Sequence, residues 1–393
     1  MGRPMPVLAP GPHRPVLASA AVAGSTTPAK GSEGGPRPRR QPSGLDRFIR
    51  DPPARLSLAQ LPTPVKRAPW LDQGAAQVWV KHDDASSTLY GGGKVRKLEW
   101  VLANPPFDGD APILSVGGVG SHHLLALALF LREQGRSLHA LTFTQTLTEH
   151  VRTNLAALLS TGARLWNVGS RARLPWAWLA YHLWRRPERM AVTMPAGAST
   201  PLGCLGFVVA GLELSAQIDA GQLPAPTTIF ITAGSAGSSA GLALGLALAG
   251  RSVRLHLVSS VERWAFNRLM YQRMLGMAHR AMVRHGLRPE HAAGGASGLL
   301  DRAGVTWRID PSQVGGGYGV PTEAATRAVD DARAHGLRLE TTYTAKCIAG
   351  MRQALAAQPV EGPVLFWNTH GANDLRAHIV EGWQARCPVK LPP

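Results

Sequence analysis

Cysteine is scarce in this chain: three in 393 residues, Cys204, Cys347 and Cys387. They lie far apart and form no metal-ligand spacing. A disulfide framework is therefore not expected, nor a metal site, and a reducing, cytoplasmic compartment fits. Acidic residues are also few, 25 Asp and Glu against 42 Lys and Arg, for a formal net charge of +17. A field of that sign suits nucleic acid, an acidic membrane surface or an anionic small molecule. The arginines, however, are spread along the chain. Zinc-finger spacing is missing, and so is the aromatic–basic pattern of a single-strand binder. Solvated basic faces are the simpler reading, with neither nucleic acid nor membrane as partner. No apolar run reads as long enough to span a bilayer.

What the chain does have is 43 glycines, 31 prolines and 45% hydrophobic residues. That balance suits an α/β core with many turns. Residues 1–53 stand apart as a Pro/Gly/Ser/Ala-rich stretch containing Arg37, Arg39 and Arg40. Such a segment buries too little apolar surface to offset its ordering entropy, so it reads as a disordered tail, with folding from Arg55-Leu56-Ser57-Leu58.

Beyond it, short apolar runs alternate with helical patterns. Strands are expected at Val78–Val80, Ile113–Val116, Leu138–Phe143, Ala163–Val168, Thr228–Thr232, Val253–Val258 and Pro363–Trp367. Helices are expected at about His122–Arg132, Thr146–Leu159, Pro201–Ile218, Ala240–Leu248 and Trp264–Arg284. The alternation predicts an α/β protein with open, twisted, mostly parallel sheets and helices on both faces. The Trp- and Arg-rich stretch Arg171–Arg189 reads as a helix packing its tryptophans on the protein itself.

Two segments carry chemistry. In Gly91-Gly92-Gly93-Lys94-Val95-Arg96-Lys97-Leu98-Glu99, three glycines precede a lysine at the start of an amphipathic helix. A lysine so held is easily aimed into a cleft, where its amine can form a Schiff base with an aldehyde. The second, Ala233-Gly234-Ser235-Ala236-Gly237-Ser238-Ser239-Ala240-Gly241, follows a buried strand. Small residues there let backbone N–H groups converge, and the helix that follows adds its positive end, which suits a phosphate. It lacks the Lys-Ser/Thr ending of a nucleotide P-loop and fits the dinucleotide Gly-x-Gly-x-x-Gly spacing poorly. A Schiff-base lysine and a separate phosphate cup together point to pyridoxal 5′-phosphate.

At these motifs the sequence resembles the D-cysteine desulfhydrase and 1-aminocyclopropane-1-carboxylate (ACC) deaminase family of fold-type II pyridoxal-phosphate enzymes. The resemblance runs from about Arg55 to the C-terminal region and keeps the family's motif order. Leu61-Pro62-Thr63-Pro64 matches its opening, and Lys81-His82-Asp83-Asp84 stands for Lys-Arg-Glu-Asp. The lysine segment resembles Gly-Gly-Asn-Lys-x-Arg-Lys-Leu-Glu, which puts the Schiff base on Lys94 and not on Lys97. Gly117-Gly118-Val119-Gly120-Ser121-His122-His123 resembles Gly-Gly-Ile-Gln-Ser-Asn-His/Gln. Tyr318-Gly319-Val320-Pro321 and Thr342-Tyr343-Thr344-Ala345-Lys346 match two later motifs, and Asn368-Thr369-His370-Gly371 stands where His-Thr-Gly-Gly is usual.

The resemblance implies two α/β domains with a cleft between them, residues 98–200 forming the smaller and residues 54–97 with 201–393 the larger, in a homodimer. It implies Lys94, Ser121, Tyr318 and Tyr343 as catalytic residues. His122 would lie beside the cofactor's ring hydroxyl, and Gly234, Ser235, Ala236, Gly237 and Ser238 would surround its phosphate. Thr344, or else Thr369, would face its ring nitrogen. For His122 and His123 the alternative is a pair of helix-start histidines satisfied by backbone. A neutral hydroxyl at the ring nitrogen weakens the electron sink and favours β-elimination from a small amino acid such as D-cysteine. ACC deamination is the second reading, and a cofactor-binding protein without turnover the third. Departures at Gly93, Gly120, His122 and Leu125 bear on the substrate.

Overall fold

The computed structural model of this protein describes residues 44–184 and 191–389. Two sheets organise it. The larger contains β1 (Val65–Arg67), β2 (Ala76–His82), β7 (Thr228–Ala233), β8 (Val253–Ser259), β9 (Val305–Asp310) and β10 (Gly362–Asn368), in the order β1-β2-β10-β7-β8-β9. Only β1 runs antiparallel to its neighbour. The smaller contains β3 (Ile113–Gly118), β4 (Leu138–Phe143), β5 (Arg164–Asn167) and β6 (Val192–Thr193), all parallel, in the order β5-β4-β3-β6.

Parallel neighbours need crossovers, and helices supply them. In the smaller sheet these are α2 (His122–Glu133) and α3 (Glu149–Ser160); in the larger, α6 (Gly237–Leu248) joins β7 to β8. The other helices are α1 (Gly93–Val101), α4 (Leu174–Trp184), α5 (Pro201–Asp219), α7 (Arg268–Arg284), α8 (Pro289–Ala292), α9 (Gly295–Ala303), α10 (Glu323–Ala334) and α11 (Thr344–Ala357).

Side-chain caps fix where helices begin. Thr148 accepts from the Val151 N–H, and Asn267 from the Met270 N–H. Such caps satisfy orphan donors, so α3 and α7 start at Glu149 and Arg268, three and four residues later than apolar periodicity suggests.

The central core packs α5 on α6. A Cβ on Gly241 or Gly245 would stand 2.2 or 2.1 Å from the carbonyl oxygens of Cys204 and Val208, so the two helix backbones touch there. The helix Pro201–Asp219 is long and apolar enough to cross a membrane, contrary to the sequence expectation, but it is mostly buried inside the protein.

Two further expectations change. Residues 44–53, assigned to the tail, are packed: Leu45 and Ile49 are buried in the main core beside Leu287, and Arg288 donates to the Phe48 carbonyl. Residues 1–43 of that tail lie outside the described residues. In α4 two tryptophans do not fold inward: Trp176 is 71% and Trp178 41% exposed, and Leu183 is 68% exposed; residues 185–189 of the expected helix lie outside the described residues. Among the described side chains of α4, Tyr181 is buried, against His139 and Trp166.

Candidate active site

A cavity of about 560 Å³ opens at the carboxyl ends of β3, β7 and β10, where open parallel sheets place ligands. Lys94 enters it from the first turn of α1. The lysine motif splits over two helix faces, because residues three apart share one face. Arg96 and Glu99 turn into the protein. Arg96 donates to Asp83 Oδ1 at 2.7 Å and Oδ2 at 3.0 Å, and to Glu213 at 2.9 and 3.0 Å. Glu99 accepts from Arg55 Nε at 3.0 Å and from the N–H groups of Leu58 and Ala59. Lys81 Nζ and Trp367 Nε1 complete this buried polar cluster. Asp83, Glu213 of α5 and the 55–59 segment thereby fix α1, and α1 aims its lysines.

Burial lowers the Lys94 amine below the ordinary lysine range, against a smaller raising effect of the Glu340 carboxylate. A partly neutral amine is a better nucleophile. Lys97, one turn on, is fully buried and donates to the Gly197 carbonyl at 3.1 Å and Ser199 Oγ at 2.9 Å. Burial and the nearby Lys94 push it down to about 7. Ser199 Oγ in turn meets Ser235 Oγ at 2.7 Å. This brings Lys97 to the loop Gly234, Ser235, Ala236, Gly237 and Ser238, which curls into the start of α6.

Two features of the loop suit an anion. Ala236 adopts φ +64°, rare for a residue with a Cβ, and a Cβ on Gly237 would come 2.9 Å from Lys97 Nζ. The helix N-terminus and the buried amine together form a cradle suited to an anion. With Lys94 in the same cavity, the residues fit a phosphorylated aldehyde.

The remaining expected residues line the same cavity. Ser121 caps α2, accepting from the Leu124 N–H at 3.4 Å. Tyr343 donates its hydroxyl proton to the Tyr318 hydroxyl at 2.9 Å. Burial raises both phenols, so they stay protonated near neutrality. Thr369 lies beside the start of α1, its carbonyl accepting from the Gly93 N–H at 3.1 Å. Thr344 stands in the wall too, with its hydroxyl donating to Glu340 Oε1 at 3.2 Å and accepting from the Glu340 N–H. His122 is not satisfied by backbone. Its Nδ1 meets the Tyr90 hydroxyl at 2.5 Å and its Nε2 meets His150 Nε2 at 2.7 Å. His123 also lines the cavity, and its Nε2 meets Ser115 Oγ at 2.9 Å.

Several residues here carry no role in the sequence reading. Glu340 is buried and accepts from the N–H groups of Thr342, Tyr343 and Thr344. His370 packs edge-on against His122 with ring centroids 5.2 Å apart. Arg171 sits 4.7 Å from the Tyr318 ring centre and pairs with Glu262 at 2.7 Å. Met270, Met274 and Met277 of α7 form an apolar wall near Trp264. Of these, His370 left a trace in sequence, as the histidine in Asn368-Thr369-His370-Gly371. Glu340 and His150 left none, because they come from segments distant in the chain.

Packing accounts for three departures from the motifs. A Cβ on Gly93 would lie 2.7 Å from the Phe207 ring, and one on Gly120 would lie 2.7 Å from Val151 Cγ1 and 2.9 Å from its Cα. Phe207 and α3 thus fill the space that side chains at those positions would need. Leu125 faces the buried core of the smaller sheet, away from solvent.

The D-cysteine desulfhydrase of Salmonella paratyphi A is 28% identical over 340 residues, covering 82% of this chain and 96% of that protein; that of Salmonella schwarzengrund matches over the same shares. Among solved structures, an ACC deaminase homologue superposes with a TM-score of 0.64 at 23% identity, over 84% of this chain and 94% of its own. A fungal L-serine ammonia-lyase from Rhizomucor miehei superposes with a TM-score of 0.53 at 15% identity, over 82% and 97%. These likenesses establish a fold-type II architecture. The family profile described as pyridoxal-phosphate dependent enzyme matches residues 56–369, and with that span, the lysine and the anion cradle in one cavity, the chain belongs to the pyridoxal-phosphate dependent enzymes.

Proposed function

We propose that this chain is a lyase acting on a small, D-configured amino acid, with D-cysteine as the first candidate. The balanced reaction is D-cysteine plus water giving pyruvate, ammonia and hydrogen sulfide. The observation that carries the reading is the sharing of one cavity by the buried, low-pKa Lys94 amine, the 234–238 cradle and the paired phenols Tyr318 and Tyr343. The relatives named D-cysteine desulfhydrase support the substrate class.

Bound pyridoxal phosphate supplies an aldehyde carbon and an electron sink for the carbanion left when the α-proton departs. The chain's residues do the rest. Lys94 would hold the aldehyde, and its buried amine is the base placed to take the α-proton. Lys97 and the first turn of α6 hold the phosphate. Ser121, at the start of α2, orients the substrate carboxylate. The Tyr343–Tyr318 pair, protonated near neutrality, delivers a proton to the leaving sulfur. Residues 98–200 form the smaller of two domains in this proposal, consistent with a separate sheet drawn from 113–193. A homodimer is part of it as well, with exposed apolar side chains on α4 and around α7 (Trp176, Leu183, Trp264, Leu269) as candidates for burial.

ACC deamination, giving 2-oxobutanoate and ammonia, is the second reading. It is favoured by Glu340, a buried carboxylate directly behind Thr344 in the cavity wall.

The test has two arms. Borohydride reduction followed by peptide mass spectrometry should find the cofactor fixed on Lys94, and Lys94→Ala should remove the adduct; an adduct on another lysine overturns the assignment. A panel of D- and L-amino acids with ACC, read for sulfide, pyruvate and 2-oxobutanoate, should single out D-cysteine. Turnover of ACC alone would select the second reading, and cofactor attachment without any turnover would make the chain a binding protein.

A further inference from the structure

The geometry points to a divalent-metal site, of zinc's class, at the cavity wall, built from His122, His370 and Glu340 of the lining and His150 beside them. The inference goes beyond the proposed reaction and does not rest on it. The four residues come from four separate segments: the first turn of α2, the first turn of α3, the turn after β10 and the turn before α11. One potential ligand atom from each of His122, Glu340 and His370 lies within 4.8 Å of the others. His122 Nε2 stands 4.0 Å from Glu340 Oε2 and 2.7 Å from His150 Nε2. The imidazoles pack with centroids 4.6, 5.2 and 5.6 Å apart.

Three observations favour a cation over a mere polar cluster. First, His370 Nδ1 is buried with no hydrogen-bond partner, an unmet group of the kind a ligand satisfies. Second, Glu340 is already oriented. Its Oε1 accepts from Tyr343 and Thr344, which leaves Oε2, bonded only to the Thr342 N–H, facing His122. Third, the Tyr90 hydroxyl sits 2.5 Å from His122 Nδ1. With a metal on Nε2, Nδ1 carries the proton and donates to the Tyr90 oxygen, the outer partner that metal-binding histidines commonly have.

Three imidazoles and one carboxylate form a borderline N/O donor set, which suits zinc better than calcium or magnesium. Zinc–nitrogen bonds of about 2.0–2.1 Å put tetrahedral ligand atoms roughly 3.3 Å apart. Glu340 and His370 would close by about 1 Å and His150 would open slightly. Because α2 and α3 belong to the smaller sheet and β10 and α11 to the larger, the ion would tie the two halves of the site together beside Lys94. His122 and His370 are also two of the positions at which this chain departs from the motifs it resembles.

The test uses tag-free, cofactor-loaded protein. Zinc is titrated in competition with a chromogenic chelator, and cobalt(II) replaces it for visible spectroscopy. One zinc per chain is expected. His370→Gly and His122→Asn should each lose affinity by more than the roughly 10–100-fold that loss of an outer hydrogen-bond partner costs. Lys94→Ala should keep the metal, which separates this inference from the cofactor assignment. If either variant fails to fold, X-ray absorption on the unsubstituted protein decides, with imidazole scattering and no sulfur expected. No stoichiometric uptake, uptake unchanged in both variants, or sulfur coordination would overturn the proposal.

Discussion

At the scale of single residues, the lysine motif shows what a sequence carries and what it withholds. Lys94 is legible because a Gly-rich entry, a lysine and an amphipathic helix are all local. The role of Lys97 is not. Its partners, Gly197 and Ser199, lie about a hundred residues on, and only folding brings them beside the 234–238 loop. Lys97 is held down to about 7, first by burial and then by Lys94. A bound phosphate returns that charge, so anion binding above pH 7 should draw a proton onto Lys97. Calorimetry in buffers of different ionisation heat should detect the uptake, and Lys97→Met should abolish it. The same variant should weaken phosphate affinity about 10–150-fold, the equivalent of a charge-assisted hydrogen bond of roughly 1.5–3 kcal/mol. Unchanged uptake would place the proton elsewhere. The sign for stability follows from the same depressed value: unliganded protein gains stability from this group as pH rises from about 7 toward the ordinary 10.5.

At the scale of elements, hydrophobic period finds what is strongly patterned. β7 and β10 are near-continuous apolar runs because both faces are covered. The same signal marks no element between residues 285 and 362, yet α8–α11 and β9 lie there. The core face of α10 is Ala325, Ala328 and Ala332, and alanine gives little hydrophobic contrast. β9 is an edge strand with alternating burial. What apolar period misses also includes the glycines that let helices touch. On the contacts between α5 and α6, Gly245→Ala should destabilise the fold by about 1–3 kcal/mol, the usual cost of overpacking, because the obstacle is the Val208 backbone and not a flexible side chain. Urea midpoints at constant slope measure this. The anchoring of α1 gives a second expectation. Arg96→Ala leaves Asp83 and Glu213 buried without their main partner and should cost about 3–5 kcal/mol, with loss of cofactor attachment at Lys94 following the loss of fold.

For the molecule as a whole, alternating strands and helices told the class of fold but not which strand joins which sheet. β2 lies beside β10 although some 280 residues separate them in the chain, and only the folded registers reveal it. The charge balance was equally mute about where the few acids sit. Two of them bear on acid stability. Glu213, between α5 and the Arg96–Lys81 cluster, is held down to about 2, its cations outweighing a burial effect that acts the other way. Asp310, at the end of β9, is likewise held to about 2 by His256 across the β8–β9 pair and by the Ser312 N–H, again against burial. Both carboxyls are lowered on folding, so their contribution is complete above the unfolded values of 4.5 and 3.8. It is lost as pH falls from about 4.5 to about 2. Glu99 opposes this: burial raises it, so its contribution is present at low pH and is lost as pH rises through its folded value. The lowering at Asp310 alone corresponds to roughly 2 kcal/mol at neutral pH. Urea midpoints measured from pH 6 down to about 2.5 should therefore fall. Asp310→Asn should flatten that fall while lowering the plateau near neutrality, and a slope unchanged by the substitution would assign the acid sensitivity to other groups.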